Sequence, residues 1–129
     1  APGKRPLSSM SPTIVLKDGK PVLVTGSPGG SRIISAVTQV IVNVLDYDMD
    51  IAAAVAAPRL HHQWRPDEVR IEQGFSEDAL AGLRARGHKL VEPLGYSSAN
   101  SILMTPAGPL GAPDPRTRGA EAAGSASSK

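Results

Sequence analysis

The chain has 129 residues, of which 14 are Lys or Arg and 12 are Asp or Glu, and it contains no cysteine. The absence of cysteine excludes a disulfide framework and a thiolate metal site, and the scattered basic residues predict no nucleic-acid surface. With one Trp, one Phe and two Tyr, the core must be mainly aliphatic, which favours a portion of a larger unit. No run approaches the ~18 apolar residues of a membrane span, and any export signal is expected outside this sequence.

The first twelve residues hold a pair of serines on an extended segment. Residues 1–5 are polar and contain Pro and Gly, so we interpret them as a tether. The following segment begins at Pro6 and ends at Pro12, and the two prolines favour an extended backbone that displays Ser8 and Ser9. From the residues alone, it is either an ordinary serine-rich loop or a segment that contacts a ligand.

Two β-branched runs, at residues 13–17 and 20–25, are separated by Asp18-Gly19 and predict a β-hairpin. One strand of a hairpin leaves the end of the sheet to which the other returns. We therefore expect the Ser8-Ser9 pair and the Gly29-Gly30 pair to lie at the same end.

The stretch from Gly26 to Arg32 ends the second strand and precedes the longest helical pattern, and it contains three glycines. Glycines let another group approach the backbone amides closely. Ser31 is a candidate N-cap, and unpaired amides in the first helical turn would favour an anion. The stretch thus predicts an anion-binding turn, the alternative being a simple tight connection. A nucleotide P-loop is disfavoured because its lysine is missing.

The rest of the chain alternates helices and strands. Apolar residues at three- and four-residue steps predict a core-facing helix over 32–47. Asp50 would cap a second, Ala-rich helix that runs to Ala57, and Ser76 would cap a third that ends at Gly87. Further strands are expected at residues 69–72, 89–91 and 101–105, and residues 106–109 are expected to form a turn that leads into residues 110–112. This order predicts an α/β or α+β layered architecture.

Residues 58–68 are expected to form a loop that carries His61 and His62. Adjacent side chains on an extended segment point to opposite sides, and no zinc-ligand spacing is present, so we expect structural hydrogen bonds rather than a metal. Neither histidine has an obvious serine partner in the sequence. No nucleophile motif is visible, so the residues indicate half of a hydrolytic site, with hydroxyls and an anion hole but no attacking group.

Several ordered motifs resemble those of the γ-glutamyltranspeptidase family. They are Pro6-Leu7-Ser8-Ser9-Met10-Ser11-Pro12-Thr13, Gly26-Ser27-Pro28-Gly29-Gly30-Ser31-Arg32-Ile33, Ala57-Pro58-Arg59-Leu60-His61-His62-Gln63-Trp64, Arg70-Ile71-Glu72 with Gly74-Phe75-Ser76, and Asp114-Pro115-Arg116. The resemblance covers roughly Lys4 to Arg116. It implies an α+β fold, as part of the αββα sandwich of N-terminal-nucleophile hydrolases.

The resemblance also implies an activity. Family members cleave themselves into a large and a small subunit, and the new N-terminal threonine attacks glutathione and other γ-glutamyl compounds without a cofactor or catalytic metal. Residues 6–116 would be the C-terminal portion of the small-subunit domain, with 117–129 as a flexible tail. Its partners would be the remainder of the small subunit and the large subunit. A periplasmic or extracellular location is expected by resemblance.

Position by position, Gly29 and Gly30 match the pair whose amides form the oxyanion hole, and Ser8 and Ser9 match the serines that contact the γ-glutamyl group. The resemblance treats Arg32 as structural. The family's Thr-Thr-His start is absent, so the nucleophile is expected outside this chain. The alternative functions are a non-catalytic carboxylate-binding or scaffold domain of the same fold, and phosphate binding at the helix start.

Overall fold

The computed structural model describes residues 2–95 and 97–124, which form seven strands and three helices. In chain order they are β1 (Thr13–Lys17), β2 (Lys20–Gly26), α1 (Arg32–Leu45), α2 (Ile51–Ala56), β3 (Leu60–His61), β4 (Val69–Ile71), α3 (Glu77–Ala85), β5 (Leu90–Val91), β6 (Asn100–Thr105) and β7 (Gly108–Ala112). Helices and strands alternate without a repeated unit, which is the α+β class that the sequence predicts.

A four-stranded antiparallel sheet has the order β1-β2-β6-β7. Its first two strands form the predicted hairpin, and both turn residues have positive φ, 51° at Asp18 and 73° at Gly19. This is the conformation that an Asp-Gly turn adopts most easily, so the local sequence sets the register of the hairpin.

Helices α1 and α2 pack on one face of this sheet. Their buried side chains meet Leu23 of β2 in one apolar cluster, to which Val40, Val44, Ile51 and Val55 contribute. Because α1 is rich in β-branched residues of modest helix propensity, this burial is what stabilises it. The side chain of Asp50 accepts a hydrogen bond from the Ala53 amide and caps α2, as predicted.

The second sheet has three strands in the order β3-β4-β5, with β4 and β5 parallel and joined through α3. Leu80 of α3 packs against Val69 and Ile71 in a second apolar cluster. Ser76 caps α3 through the Ala79 amide, as predicted. The prediction that residues 58–68 are entirely loop is wrong, because Leu60 and His61 pair with β4; a two-residue strand is too short to show alternation in the sequence.

The other face of the four-stranded sheet is apolar and largely open. Ile14, Val24 and Ile102 lie side by side on three strands, and Ile14 and Ile102 are 63% and 42% exposed. The segment that contains Ala122 lies over Gly111, where an added Cβ would stand only 2.9 Å from the Ala122 Cβ. With this segment, the face borders a cavity of about 480 Å³. We call this surface the outer sheet face.

Residues 117–120 form turns, with the Thr117 amide bonded to the Asp114 carbonyl and the Ala120 amide to the Thr117 carbonyl. Residues 121–124 have no regular secondary structure. Of the predicted flexible tail, 117–129, the last five residues lie outside the described residues, as does residue 1 of the predicted tether. The division of the chain into 1–5, 6–116 and 117–129 stays a prediction.

Candidate active site

The turn between β2 and α1 takes a backbone form that requires glycine. Gly29 has a φ of 138° and Gly30 a φ of 59°. At Gly30 no atom lies within 4 Å of where a Cβ would stand, so the requirement there comes from the backbone and not from crowding. The carbonyls of the two glycines accept hydrogen bonds from the Arg32 and Ile33 amides, at 3.2 and 3.1 Å.

The N–H groups of the same two glycines differ from the carbonyls in their hydrogen bonding. Neither the Gly29 nor the Gly30 N–H donates a hydrogen bond to any other residue that the structure describes. Gly30 is exposed and Gly29 is half-buried. Two consecutive peptide donors are therefore available to an acceptor from outside the chain, which is an anion-binding arrangement of backbone.

One part of the sequence prediction for this turn is wrong. Ser31 occupies the predicted N-cap position of α1, but its conformation is αR and its side chain makes no capping bond. The first helical amides, those of Arg32 and Ile33, are not free either, because the glycine carbonyls already accept from them. An anion at this turn would therefore be bound by the glycine amides.

Ser8 and Ser9 precede β1 at the end of the sheet where β2 leads into the glycine turn. β1 begins with Thr13 paired to Thr25. The Ser8 Oγ accepts from the Met10 amide at 3.1 Å, and the Ser11 Oγ donates to the Ser9 carbonyl at 3.0 Å. These bonds order the segment locally.

A buried ion pair joins the two sheets. Arg59, which precedes β3, is 2% exposed, and Asp114, which follows β7, is 0% exposed; Nη2 and Oδ2 are 2.8 Å apart. The same arginine Nη2 donates to the Val55 carbonyl of α2 at 2.6 Å. Asp114 Oδ2 also accepts from the Ala99 amide at 2.6 Å. The Arg59 Nε is buried without a hydrogen-bond partner among the described residues.

Arg116 and Glu72 extend this network. Arg116 Nε donates to Glu72 Oε1 at 2.8 Å, and its terminal nitrogens reach the carbonyls of Val55 and Ala57 at 2.9 and 2.8 Å. The carbonyls at the end of α2 lack helical partners, and a cation there stabilises them. Motifs that lie far apart in the sequence, around residues 59, 72 and 114–116, thus meet at one helix end.

The surroundings of Asp114 and Arg116 favour the charged forms of both side chains. Burial alone would raise the pKa of Asp114, but hydrogen bonds from the Arg116 amide, the Arg59 side chain and the Ala99 amide, with the charge of Arg59, hold the pKa below its ordinary value. For Arg116, burial lowers the pKa, and the hydrogen bonds and charges of Glu72 and Asp114 more than offset this, so its pKa is raised.

The two adjacent histidines differ in burial and in hydrogen-bond partners. His61 is buried and its ring joins the Ser35 Oγ at 2.8 Å to the Gln63 Oε1 at 2.9 Å. His62 is more exposed and contacts Asp67 at 3.2 Å. The serine partner of His61 was missed because it comes from α1, 26 residues away. Within residues 2–95 and 97–124, no three His, Cys, Asp or Glu side chains are grouped to hold a metal ion.

The sequence matches the family model described as Gamma-glutamyltranspeptidase over residues 1–124. The chain belongs to this family. It is 59% identical over 117 residues to the glutathione hydrolase proenzyme of Escherichia coli (strain K12), which covers 90% of this chain and 20% of that protein. The chain therefore spans about a fifth of the length of this γ-glutamyltranspeptidase relative.

Solved structures agree with the family match. A mutant of the Helicobacter pylori γ-glutamyltranspeptidase aligns with a TM-score of 0.83 and 50% identity, over 91% of this chain and 66% of that one. The transpeptidase CapD of Bacillus anthracis is 22% identical and shares the fold, with a TM-score of 0.77 over 95% of this chain and 75% of that one. The predicted α+β fold of the N-terminal-nucleophile hydrolase type is thereby confirmed.

No helix within the described residues is both long and apolar enough to cross a lipid bilayer.

Proposed function

We propose that this chain is the C-terminal part of the small subunit of a γ-glutamyltransferase or glutathione hydrolase. In this proposal the amides of Gly29 and Gly30 form the oxyanion hole. The single observation that supports it is the pair of consecutive glycine amides without a partner among the described residues. Both glycines have positive φ, a conformation that only glycine adopts easily. This unusual backbone occurs at the two residues whose amides the proposal requires as donors.

The two amides would act on the charge that develops during acyl transfer. Attack of a threonine hydroxyl on the γ-glutamyl amide forms a C–O bond and places a negative charge on the former carbonyl oxygen. The proton of the threonine hydroxyl is transferred to the amide nitrogen. Collapse of the intermediate then breaks the C–N bond and releases the amine, leaving a threonine ester that water or an amino acid resolves. Loss of one oxyanion donor typically lowers kcat by about 10²- to 10³-fold.

Ser8 and Ser9 would bind the α-carboxylate region of the γ-glutamyl donor. Short hydroxyls on a locally hydrogen-bonded segment can donate to a carboxylate with little loss of side-chain freedom. The segment enters the sheet at the end where β2 leads into the glycine turn. In that arrangement one end of the sheet would hold both the recognised and the reacting ends of the donor.

The remaining parts of the enzyme would come from the rest of the small subunit and from the large subunit. Thr13 lies within β1 and its hydroxyl donates to the Ser11 carbonyl at 3.0 Å, which disfavours it as a nucleophile. The outer sheet face, with its exposed Ile14 and Ile102, offers the surface on which a second sheet of the sandwich would pack. We propose glutathione and related γ-glutamyl compounds as substrates, no cofactor, and a periplasmic or extracellular location.

The test is steady-state hydrolysis of γ-glutamyl p-nitroanilide by the complete protein that contains this chain. Gly29→Pro removes one amide donor and also excludes the φ of 138°, so we expect kcat to fall by about 10²-fold or more. Gly19→Pro is the matched control: it makes the same exchange at another glycine of positive φ, 73°, in the hairpin turn at the other end of β2, so kcat of the folded protein should stay within about threefold. Ser9→Ala should raise KM more than it lowers kcat.

Full activity of a folded Gly29→Pro variant would contradict the proposal. If the complete protein bound glutamate and hydrolysed no γ-glutamyl anilide, the non-catalytic carboxylate-binding domain would be the correct function. Protection of the protein from thermal unfolding by ATP, with none by glutamate, would instead indicate the phosphate site.

A further inference from the structure

We propose that Ser27 is a positioning residue that aims the Gly29 amide at the oxyanion. The inference rests on the proposed function and goes beyond it, because Ser27 would touch no reacting atom. It would act by holding the peptide unit that joins Pro28 to Gly29, the unit whose nitrogen is the proposed donor.

The hydroxyl of Ser27 donates to the Pro28 carbonyl, with Oγ and O 2.6 Å apart. This carbonyl and the Gly29 N–H are the two ends of one planar peptide group, in which they point in opposite directions when the bond is trans. The Pro28–Gly29 bond is trans. Fixing the oxygen therefore fixes the direction of the Gly29 N–H.

Such a restraint is needed because the next residues are glycines. Gly29 and Gly30 have φ values of 138° and 59°, and glycine reaches other backbone conformations at little cost. A peptide plane beside glycine can rotate unless something holds it. An oxyanion donor must be aimed before the charge develops, because reorientation during the reaction costs free energy.

The hydroxyl of Ser27 is itself held by a buried segment. The Ser98 amide donates to the Ser27 Oγ at 3.1 Å, and Ser98 is 1% exposed. With this lone pair occupied, the hydroxyl hydrogen is directed to the Pro28 carbonyl. The glycine turn is thus attached to the interior through a side chain that is 71 residues away in sequence from its anchor.

The anchoring segment is in turn fixed by the buried ion pair. Arg59 Nη1 donates to the Ser97 Oγ at 3.3 Å, and the Ala99 amide donates to Asp114 Oδ2 at 2.6 Å. Residues on both sides of Ser98 are therefore restrained. A hydrogen bond accepted by a peptide carbonyl also polarises the N–H of the same group, which strengthens it as a donor.

The experiment measures hydrolysis of γ-glutamyl p-nitroanilide by the complete protein with Ser27→Ala and Ser27→Thr. We expect Ser27→Ala to lower kcat about tenfold, a fraction of the loss of a whole donor, with KM changed less than twofold. Ser27→Thr keeps the hydroxyl and should retain most of kcat. The matched control is Thr105→Val, which removes a hydroxyl-to-carbonyl bond of 2.7 Å to Gly108 at the opposite end of the sheet.

A second measurement separates positioning from a general structural effect. A γ-glutamyl boronic acid forms a tetrahedral adduct with the nucleophile and places an oxygen in the hole, whereas the product glutamate lacks that geometry. For Ser27→Ala we expect the inhibition constant of the boronate to rise about tenfold and that of glutamate to stay within twofold.

The results distinguish this inference from the proposed function. If Ser27→Ala keeps wild-type kcat and boronate affinity while Gly29→Pro loses activity, the inference is wrong and the oxyanion hole stands. If Ser27→Ala weakens glutamate and boronate equally, or if Thr105→Val lowers kcat as much, Ser27 has no positioning role. Unchanged activity in Gly29→Pro would refute the proposed function itself.

Discussion

Replacement of Asp114 by Asn removes one negative charge from the interior without changing the shape of the side chain. The carboxylate accepts four hydrogen bonds: from the Arg59 Nη2 at 2.8 Å, the Ala99 amide at 2.6 Å, the Arg116 amide at 2.9 Å and the Arg116 Nη1 at 3.2 Å. An amide group has one acceptor oxygen, and its NH₂ group would face donors. At least one donor is then left unpaired.

The size of the effect follows from burial. Arg59 is 2% exposed, so its guanidinium charge would lose its buried counterion and gain no water in exchange. Breaking a buried ion pair on one side typically costs about 3–5 kcal/mol. Because each 1.4 kcal/mol is a factor of ten, local opening at this site should become about 10²- to 4 × 10³-fold more frequent.

Native-state hydrogen exchange of the complete protein measures this opening, since β6 begins one residue after Ala99. Amides of β6 should exchange faster by the factor above in Asp114→Asn. Asp67→Asn is the matched control, because Asp67 is 95% exposed and its contact with His62 lies at the surface. It should change exchange by less than about threefold. Adding Arg59→Met to Asp114→Asn removes the uncompensated charge and should restore part of the protection.

Equal exchange rates in Asp114→Asn and Asp67→Asn would refute the reasoning, as they would show that the Arg59 charge is neutralised by other means. No recovery on adding Arg59→Met would show that packing, and not charge, sets the cost.

Two further predictions concern the same network. The folded pKa of Asp114 lies below the ordinary unfolded value of about 3.9, so its contribution to stability is complete above that pH and is lost as the pH falls through the folded pKa. The midpoint temperature of thermal unfolding should therefore fall as the pH is lowered below about 4, and it should depend less on pH in Asp114→Asn. Parallel curves of midpoint temperature against pH for the two proteins would contradict this. Arg116→Lys keeps the charge but cannot reach Glu72 and the Val55 and Ala57 carbonyls together, and should cost about 1–3 kcal/mol in urea unfolding. An unchanged urea midpoint would show that these bonds are dispensable.

Local signals predicted most of the secondary structure. The Asp18-Gly19 turn and the caps at Asp50 and Ser76 are each set by residues within four positions, so the sequence carries them directly. Ser31 shows the limit of such signals. It has the right residue type for a cap, but the glycine carbonyls bond to the first helical amides and its own backbone is already helical.

Two contacts between distant parts of the sequence could not be predicted from spacing. Arg59 and Asp114 are 55 residues apart, and Ser27 and Ser98 are 71 apart. The Arg59–Asp114 pair depends on where β3 begins and β7 ends relative to α2, and the Ser27–Ser98 contact depends on where β2 ends and β6 begins. No local pattern specifies either. The family resemblance identified the motifs around residues 59, 72 and 114–116 but gave them no physical role.

Because Gly111 has no side chain, residues 121–123 can lie against the outer sheet face. A methyl group there would stand 2.9 Å from the Ala122 Cβ, so any larger residue would push residues 121–123 away from Ile102 and Val24. A second sheet that packs on the outer sheet face must therefore either pack beside residues 121–123 or displace them. Residues 121–123 would then compete with the neighbouring sheet until the complete protein has assembled.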